Sequence, residues 1–379
     1  MPPTGDDRPH FFDQTPESLA ALFTGWGLAR FRADQVMDWV YRKGIADPHA
    51  MTNLSQADRE RLADRLRFLD VGVVQHQRAT DGTQKLLIDW SLGPTRYSAP
   101  GEASLAVLGS SATQSECVMI PATSSGRAAP DRTRTRRTAC ISSQVGCPVG
   151  CRFCASGLGG LDGNLTPGQI VQQVWQLQQL PGVERITNVV FMGMGEPLAN
   201  PRSVFAALRT LAAPWGIGLS ARKITVSTVG VPAGIRKLGD LDLPVTLAIS
   251  LHAPNDEIRK AIIPWAEFVS IEQLTEAGRD YFRKTGREIT LEYILLGGFN
   301  DQPHHAQELA RVAKRLRSNL NLIRYNEVAG LPFTRPSDDD VLSFQQVLRT
   351  AGLNVHIRAS RGRDIAAACG QLRHEASGV

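Results

Sequence analysis

No stretch of the chain reaches the ~18 uninterrupted apolar residues that a membrane-crossing helix requires. Residues 1–13 are polar and lack the apolar core of a secretory signal, so a cytoplasmic protein without membrane association is expected. Cysteine is scarce. Six in 379 residues cannot make a secreted disulfide scaffold, and in a reducing compartment they read as metal-binding or catalytic thiols. No heptad repeat or sustained apolar surface stripe argues for assembly, which leaves a monomer as the default. The charge imbalance is small: a net +5 permits a polyanionic partner without demanding one.

What is present concentrates in Cys147-Pro-Val-Gly-Cys151-Arg-Phe-Cys154, followed by the loose run Ala155-Ser-Gly-Leu-Gly-Gly160. A [4Fe–4S] cluster is normally held by four thiolates, so three close-set ligands leave one iron open for a substrate. A structural zinc site needs a fourth ligand nearby, and no Cys or His follows Cys154 until His252.

Length and pattern divide the chain into three parts. Residues 1–70 read as a small helical unit, with apolar residues at helical spacing around Leu19–Phe23 and Val36–Tyr41 and a third helix capped near Asn53 or Ser55. Its basic residues Arg30, Arg32, Arg42, Lys43, Arg59, Arg61, Arg65 and Arg67 fit either a phosphate-binding surface or a solvated helix face. Residues 71–137 form a β-rich connector containing a Ser-, Gly-, Pro- and Arg-rich stretch at 122–138, which reads as a mobile basic loop that fits either a clamp on nucleic acid or a merely solvated insertion. From 138 onward strands and helices alternate in about six βα units, an α/β pattern that implies a parallel sheet, open or curled into a partial barrel.

In such folds function gathers at the carboxyl ends of the strands. The polar motifs fall there: Gly193-Met-Gly195-Glu196-Pro, Ser227-Thr-Val-Gly230, Ser250-Leu251-His252-Ala and Tyr325-Asn326. Each is weak alone. A Gly-rich turn is usually just a turn, and His252 by itself reads as a satisfied structural histidine. On one rim with the cysteine loop, they point to one ligand. Near the end, Ala366-Ala-Ala-Cys369-Gly follows Arg358, Arg361 and Arg363. The small neighbours suit close approach by another group, and the arginines favour a thiolate, although a lone Cys is often an inert buried hydrophobe.

Taken together, Cys140-Ile-Ser-Ser-Gln-Val-Gly-Cys147 leading into Cys-x3-Cys-x2-Cys, Gly193-Met-Gly-Glu-Pro, Ser250-Leu-His-Ala-Pro-Asn-Asp and Asp364-Ile-Ala-Ala-Ala-Cys-Gly-Gln-Leu resemble the radical S-adenosylmethionine (SAM) methyltransferases that modify adenine in RNA. The resemblance spans nearly the whole chain. It implies a partial (βα)6 radical-SAM barrel over 138–379, with a C-terminal extension carrying Cys369. It further implies a [4Fe–4S] cluster on Cys147, Cys151 and Cys154, and a SAM site lined by Gly195, Glu196, Ser227, Ser250, Leu251, His252 and Asn326. Cys369 would carry the methyl group, Cys140 would resolve it through a disulfide, and Glu116 would accept a proton. The implied partners are 23S ribosomal RNA, tRNA and an external, flavodoxin-like electron donor. Carbon 2 of adenine is the expected target. A sister activity at carbon 8 shares Cys140 and Cys369 and is the alternative. Cys117 has no role in this scheme and reads as a buried structural thiol.

Overall fold

The computed structural model describes residues 8–69, 72–91, 113–122 and 136–372. Most of the basic loop read at 122–138, including Arg127, Arg132 and Arg134, lies outside the described residues, as does Val71.

The N-terminal helices are α1 (Pro16–Gly25), α2 (Arg32–Met37) and α3 (Gln56–Arg65). Thr15 and Ser55 cap α1 and α3 by accepting the third amide of each helix. After α2 the chain widens into a π-helical turn, Asp38–Arg42. Its Trp39 ring carries the Lys43 ammonium 3.6 Å from the centroid. Arg32 is likewise engaged, with Gln35, the Asn53 carbonyl and Asp58, whereas Arg30 and Arg65 are exposed.

The remaining strands make a ten-stranded sheet. Strands β1 (Gly72–Arg78), β2 (Gln84–Asp89), β3 (Gln114–Pro121) and β4 (Arg137–Cys140) pair antiparallel in sequence order. A small hairpin, β5 (Gln144–Gly146) with β6 (Leu161–Asn164), frames the cysteine loop. Beyond β4 the sheet continues in parallel through β7 (Asn188–Phe191), β8 (Ile224–Thr228), β9 (Thr246–Ser250), β10 (Ile289–Leu295), β11 (Ser318–Arg324) and β12 (Val355–Arg358). The connector strands are thus an antiparallel wing of the barrel sheet, hinged at β4. Their separate appearance in the sequence comes from the long insertions between them.

Helices α4 (Pro167–Gln178), α5 (Pro201–Ala212), α6 (Pro232–Gly239), α7 (Asp256–Ile262), α8 (Ile271–Thr285), α9 (Pro303–Ala313) and α10 (Asp338–Thr350) fill the crossovers. Thr166 and Gln169 close a capping box on α4, and Ser270 and Gln273 do so on α8. Helix α8 ends at Gly286, whose φ of 64° is the left-handed cap that glycine adopts at little cost.

The N-terminal unit docks on α4. Trp175 donates its indole N–H to the Val40 carbonyl at 2.9 Å, and Asp13 accepts the Gly168 amide at 2.6 Å, at the positive end of the helix. Phe11, Phe12, Tyr41 and Trp175 pack edge-on and tilted across the seam. Among the described residues no helix is long and apolar enough to cross a membrane.

Candidate active site

The carboxyl ends of β7 to β11 surround a cavity with about 870 Å³ of empty space. Cys147, Cys151 and Cys154 line it, with Gly195, Glu196, Ser227, Ser250, His252 and Cys369. Most of the rim motifs singled out in the sequence therefore meet in one place. Leu251 is buried immediately behind the wall, and Asn326 touches the site through the tail, its Nδ2 donating to the Cys369 carbonyl at 3.2 Å. Glu116 and Cys140 lie on β3 and β4, the neighbouring strands of the same sheet, rather than in this wall.

The polar floor is fixed by side chains that sequence reasoning did not select. Gln173 of α4 clamps Ser142, accepting its N–H at 2.8 Å and donating to its carbonyl at 2.9 Å. The Ser142 hydroxyl then donates to the Glu116 carbonyl at 2.6 Å and accepts the Met194 amide at 2.8 Å, tying β3 to the Gly-Met-Gly turn. Gly195 sits at φ 99°, and a Cβ there would stand 2.6 Å from Cβ of Gln144, so no larger residue fits without movement. The Glu196 carboxylate accepts the amides of Leu198 at 2.9 Å and Val229 at 2.7 Å, joining the ends of β7 and β8. Burial raises its pKa despite these bonds.

His252 has a left-handed backbone, φ 58°, and its Nδ1 accepts the Ile294 amide at 3.1 Å. Burial, then the nearby Arg259, pushes its pKa down to about 3, so the ring is neutral with its proton on Nε2. Phe153 of the cysteine loop packs edge-on against it, with centroids 5.1 Å apart. His252 is thus satisfied structurally and also faces the cavity. Ser227 and Ser250 share a hydrogen bond of 3.2 Å across β8 and β9.

Two charged residues were not anticipated. Glu292 is buried in the middle of the otherwise apolar β10 and faces the cavity, with burial raising its pKa. A lone Glu in an apolar strand was the available signal. Arg259 is fully buried and donates to the carbonyls of Leu251 at 3.3 Å, Val269 at 3.0 Å and Val229 at 2.5 Å. Its charge also acts on Cys151.

The tail completes the site. Gly370 accepts the Ala155 amide at 2.8 Å, and Leu372 accepts the Ser156 hydroxyl at 2.5 Å, so the segment carrying Cys369 lies along the cysteine loop. Cys369 is exposed, and its free surface belongs to the cavity wall. Cys140 is buried in a small cluster with Val190, Met194, Ala367 and Leu372; burial, then the nearby Cys369, raises its pKa. Arg358 does favour the Cys369 thiolate, but burial outweighs it and the pKa is raised. Arg358 thus acts in the direction expected of a basic neighbour, against that rise. Cys117 is fully buried, and burial raises its pKa well above the ordinary value, as suits an inert thiol.

The thiol set fits a cluster. Burial pushes Cys147 up to about 12 and raises Cys151 and Cys154, and Cys154 further opposes the ionisation of both partners. Three such thiols in one cavity become thiolates together only around a positive centre. Among the described residues no three Cys, His, Asp or Glu side chains gather as a single metal ion would require. Ligands to separate corners of one cluster need no such convergence.

Comparison with known proteins shows the family. The radical SAM superfamily profile matches residues 141–310, and the profile of the ribosomal RNA large subunit methyltransferase N-terminal domain matches residues 10–67. A probable dual-specificity RNA methyltransferase RlmN of Rhodopirellula baltica is 39% identical, with 98% of this chain and 92% of the relative covered. The chain belongs to the RlmN family. The dual-specificity RNA methyltransferase RlmN of Bdellovibrio bacteriovorus is 40% identical over 96% of this chain and 83% of its own length. The crystal structure of a radical SAM methyltransferase from Sphaerobacter thermophilus superposes with a TM-score of 0.85 at 38% identity, covering 96% of this chain and 99% of that one. As an RlmN-family protein the chain is a radical SAM methyltransferase that uses a [4Fe–4S] cluster and SAM, built on the radical SAM fold.

Proposed function

We propose that this enzyme methylates carbon 2 of adenine in 23S ribosomal RNA and in tRNA, carrying the methyl group on Cys369. One observation carries the reading: the tail seats Cys369 in the wall of the cavity that holds Cys147, Cys151 and Cys154, with Cys140 close beside it in β4. The dual-specificity names of the relatives support the two RNA substrates.

Cys147, Cys151 and Cys154 hold the cluster, and Gly195, Glu196, Ser227, Ser250, Leu251, His252 and Asn326 shape the SAM site. When bound, the cluster and SAM supply methyl transfer and one-electron bond cleavage, hence hydrogen-atom abstraction. Adenine carbon 2 lies between two electron-withdrawing nitrogens and is no nucleophile, so a methyl group must be delivered to it. Cys369 presents that carbon, covalently fixed beside the cavity. Glu116 accepts the proton lost from carbon 2. Cys140 attacks the Cys369 sulfur, releasing methyladenine and leaving a disulfide that an external reductant reopens. Cys140 is buried in the sheet, whereas Cys369 presents its thiol to the cavity.

The target base has to leave its stack to reach this depth, which suits loops and unstacked ends. Basic residues of the N-terminal unit, Arg30 and Arg65 among them, provide phosphate contacts, so affinity falls with salt. Mass spectrometry of digested 23S RNA and tRNA after turnover tests the assignment. 2-Methyladenosine is expected, and 8-methyladenosine in its place would overturn the choice of carbon.

A further inference from the structure

The cysteine loop has two sides. Cys154 to Ser156 run along the tail, whereas Gly150, Cys151, Arg152 and Leu158 line a separate open groove together with Phe299 and Phe333. Cys151 lines both the groove and the main cavity. At this point a single ligand residue separates the cluster position from the protein surface.

The groove is unusually apolar for an open surface. Leu158 is 55% exposed and Phe299 37% exposed. Arg152 is the single formally charged residue in its lining, is exposed, and has no ion-pair partner among the described residues. An apolar centre with an unneutralised cation suits an acidic partner with an apolar tip. The chemistry requires such a visitor, because the cluster must receive an electron.

We propose that this groove is the docking surface for a small acidic one-electron carrier protein, which reduces the cluster past Cys151 without entering the RNA-facing cavity. The carrier loses one electron and the cluster gains it, and no bond or proton need move. The inference rests on the reductive use of the cluster and is independent of which adenine carbon is modified.

The test uses the full-length protein reconstituted with cluster, and flavodoxin hydroquinone as the probe. The variants are Arg152→Glu, Phe299→Asp and the pair Leu158→Asp with Phe299→Asp. Reduction of the cluster, followed by electron paramagnetic resonance, is expected to slow about tenfold or more with flavodoxin, the loss of a central contact. Flavodoxin binding measured by calorimetry should weaken in parallel, while reduction by dithionite keeps its rate. Unchanged flavodoxin rates overturn the proposal. Equal slowing with dithionite in all variants also overturns it, since the surface then matters to the cluster and not to its donor. Loss of tRNA binding with donor binding intact would assign the groove to RNA and reject the carrier. Neither the reduction nor the donor-binding readout involves methylated RNA, so failure here and failure of the carbon-2 assignment are separable.

Discussion

Lys85 and Glu116 face each other across β2 and β3 as a buried ion pair, Nζ to Oε1 at 2.7 Å, and the same ammonium reaches the Ala366 carbonyl at 3.4 Å. The proposed proton acceptor is thereby tied to the tail that carries Cys369. Breaking a buried ion pair by removing one member is strongly destabilising, so Lys85→Met should cost about 3–5 kcal/mol. The double variant Lys85→Met with Glu116→Leu should recover most of that stability in urea unfolding while giving no methylated RNA. A double variant as unstable as the single one would refute the pairing.

In the proposed mechanism Cys140 and Cys369 divide carrying from release. Cys140→Ala should accumulate a covalent protein–RNA adduct that persists on a denaturing gel, because the sulfur that frees the product is missing. Cys369→Ala should form neither adduct nor product. Normal turnover by either variant would sink the assignment.

How far all this was legible in the sequence depends on the range of the interaction. Helix α8 reads end to end because Ser270 and Gly286 punctuate it locally. The cysteine loop and the rim motifs are contiguous, and the alternation of strands and helices brings them to one rim. Lys85, Gln173 and Arg259 left no such mark, since each gains its partner only when distant segments pair. The antiparallel wing was equally hidden: its strands are visible singly, but β4 as a shared hinge requires knowing both neighbours. The nearness of Cys140 and Cys369 came from family resemblance, because no spacing rule connects a strand with a tail so far along the chain.

Arg259 joins three carbonyls from three segments around the cysteine loop. Truncation leaves these acceptors buried and unmet, at roughly 1–3 kcal/mol each. Arg259→Leu should therefore destabilise the protein by about 3 kcal/mol or more and lower the iron retained after reconstitution, and Arg259→Lys should do less of both. Wild-type midpoints and iron content in Arg259→Leu would show that the guanidinium is dispensable.

His10 supplies a pH dependence far from the chemistry. Burial, followed by Arg67, pushes its pKa down to about 3. The unfolded chain then takes up a proton near pH 6.5 that the folded one refuses, so stability is intact above 6.5 and falls as pH drops toward 3. The slope contributed is about 1.4 kcal/mol per pH unit. His10→Phe should flatten the fall in denaturation midpoint between pH 7 and pH 5, and parallel curves for the two proteins would contradict this origin.

Ala155 and Ser156 belong to the loop that holds the cluster, and their hydrogen bonds to Gly370 and Leu372 make the tail part of that loop's support. Linkage runs both ways: whatever favours the ordered loop favours the docked tail by the same factor. A chain that has lost its cluster thus also loosens its grip on Cys369. Under the proposed mechanism this protects the enzyme from half-reactions, because the thiol is presented for methylation most firmly when the apparatus that can use the methyl group is in place.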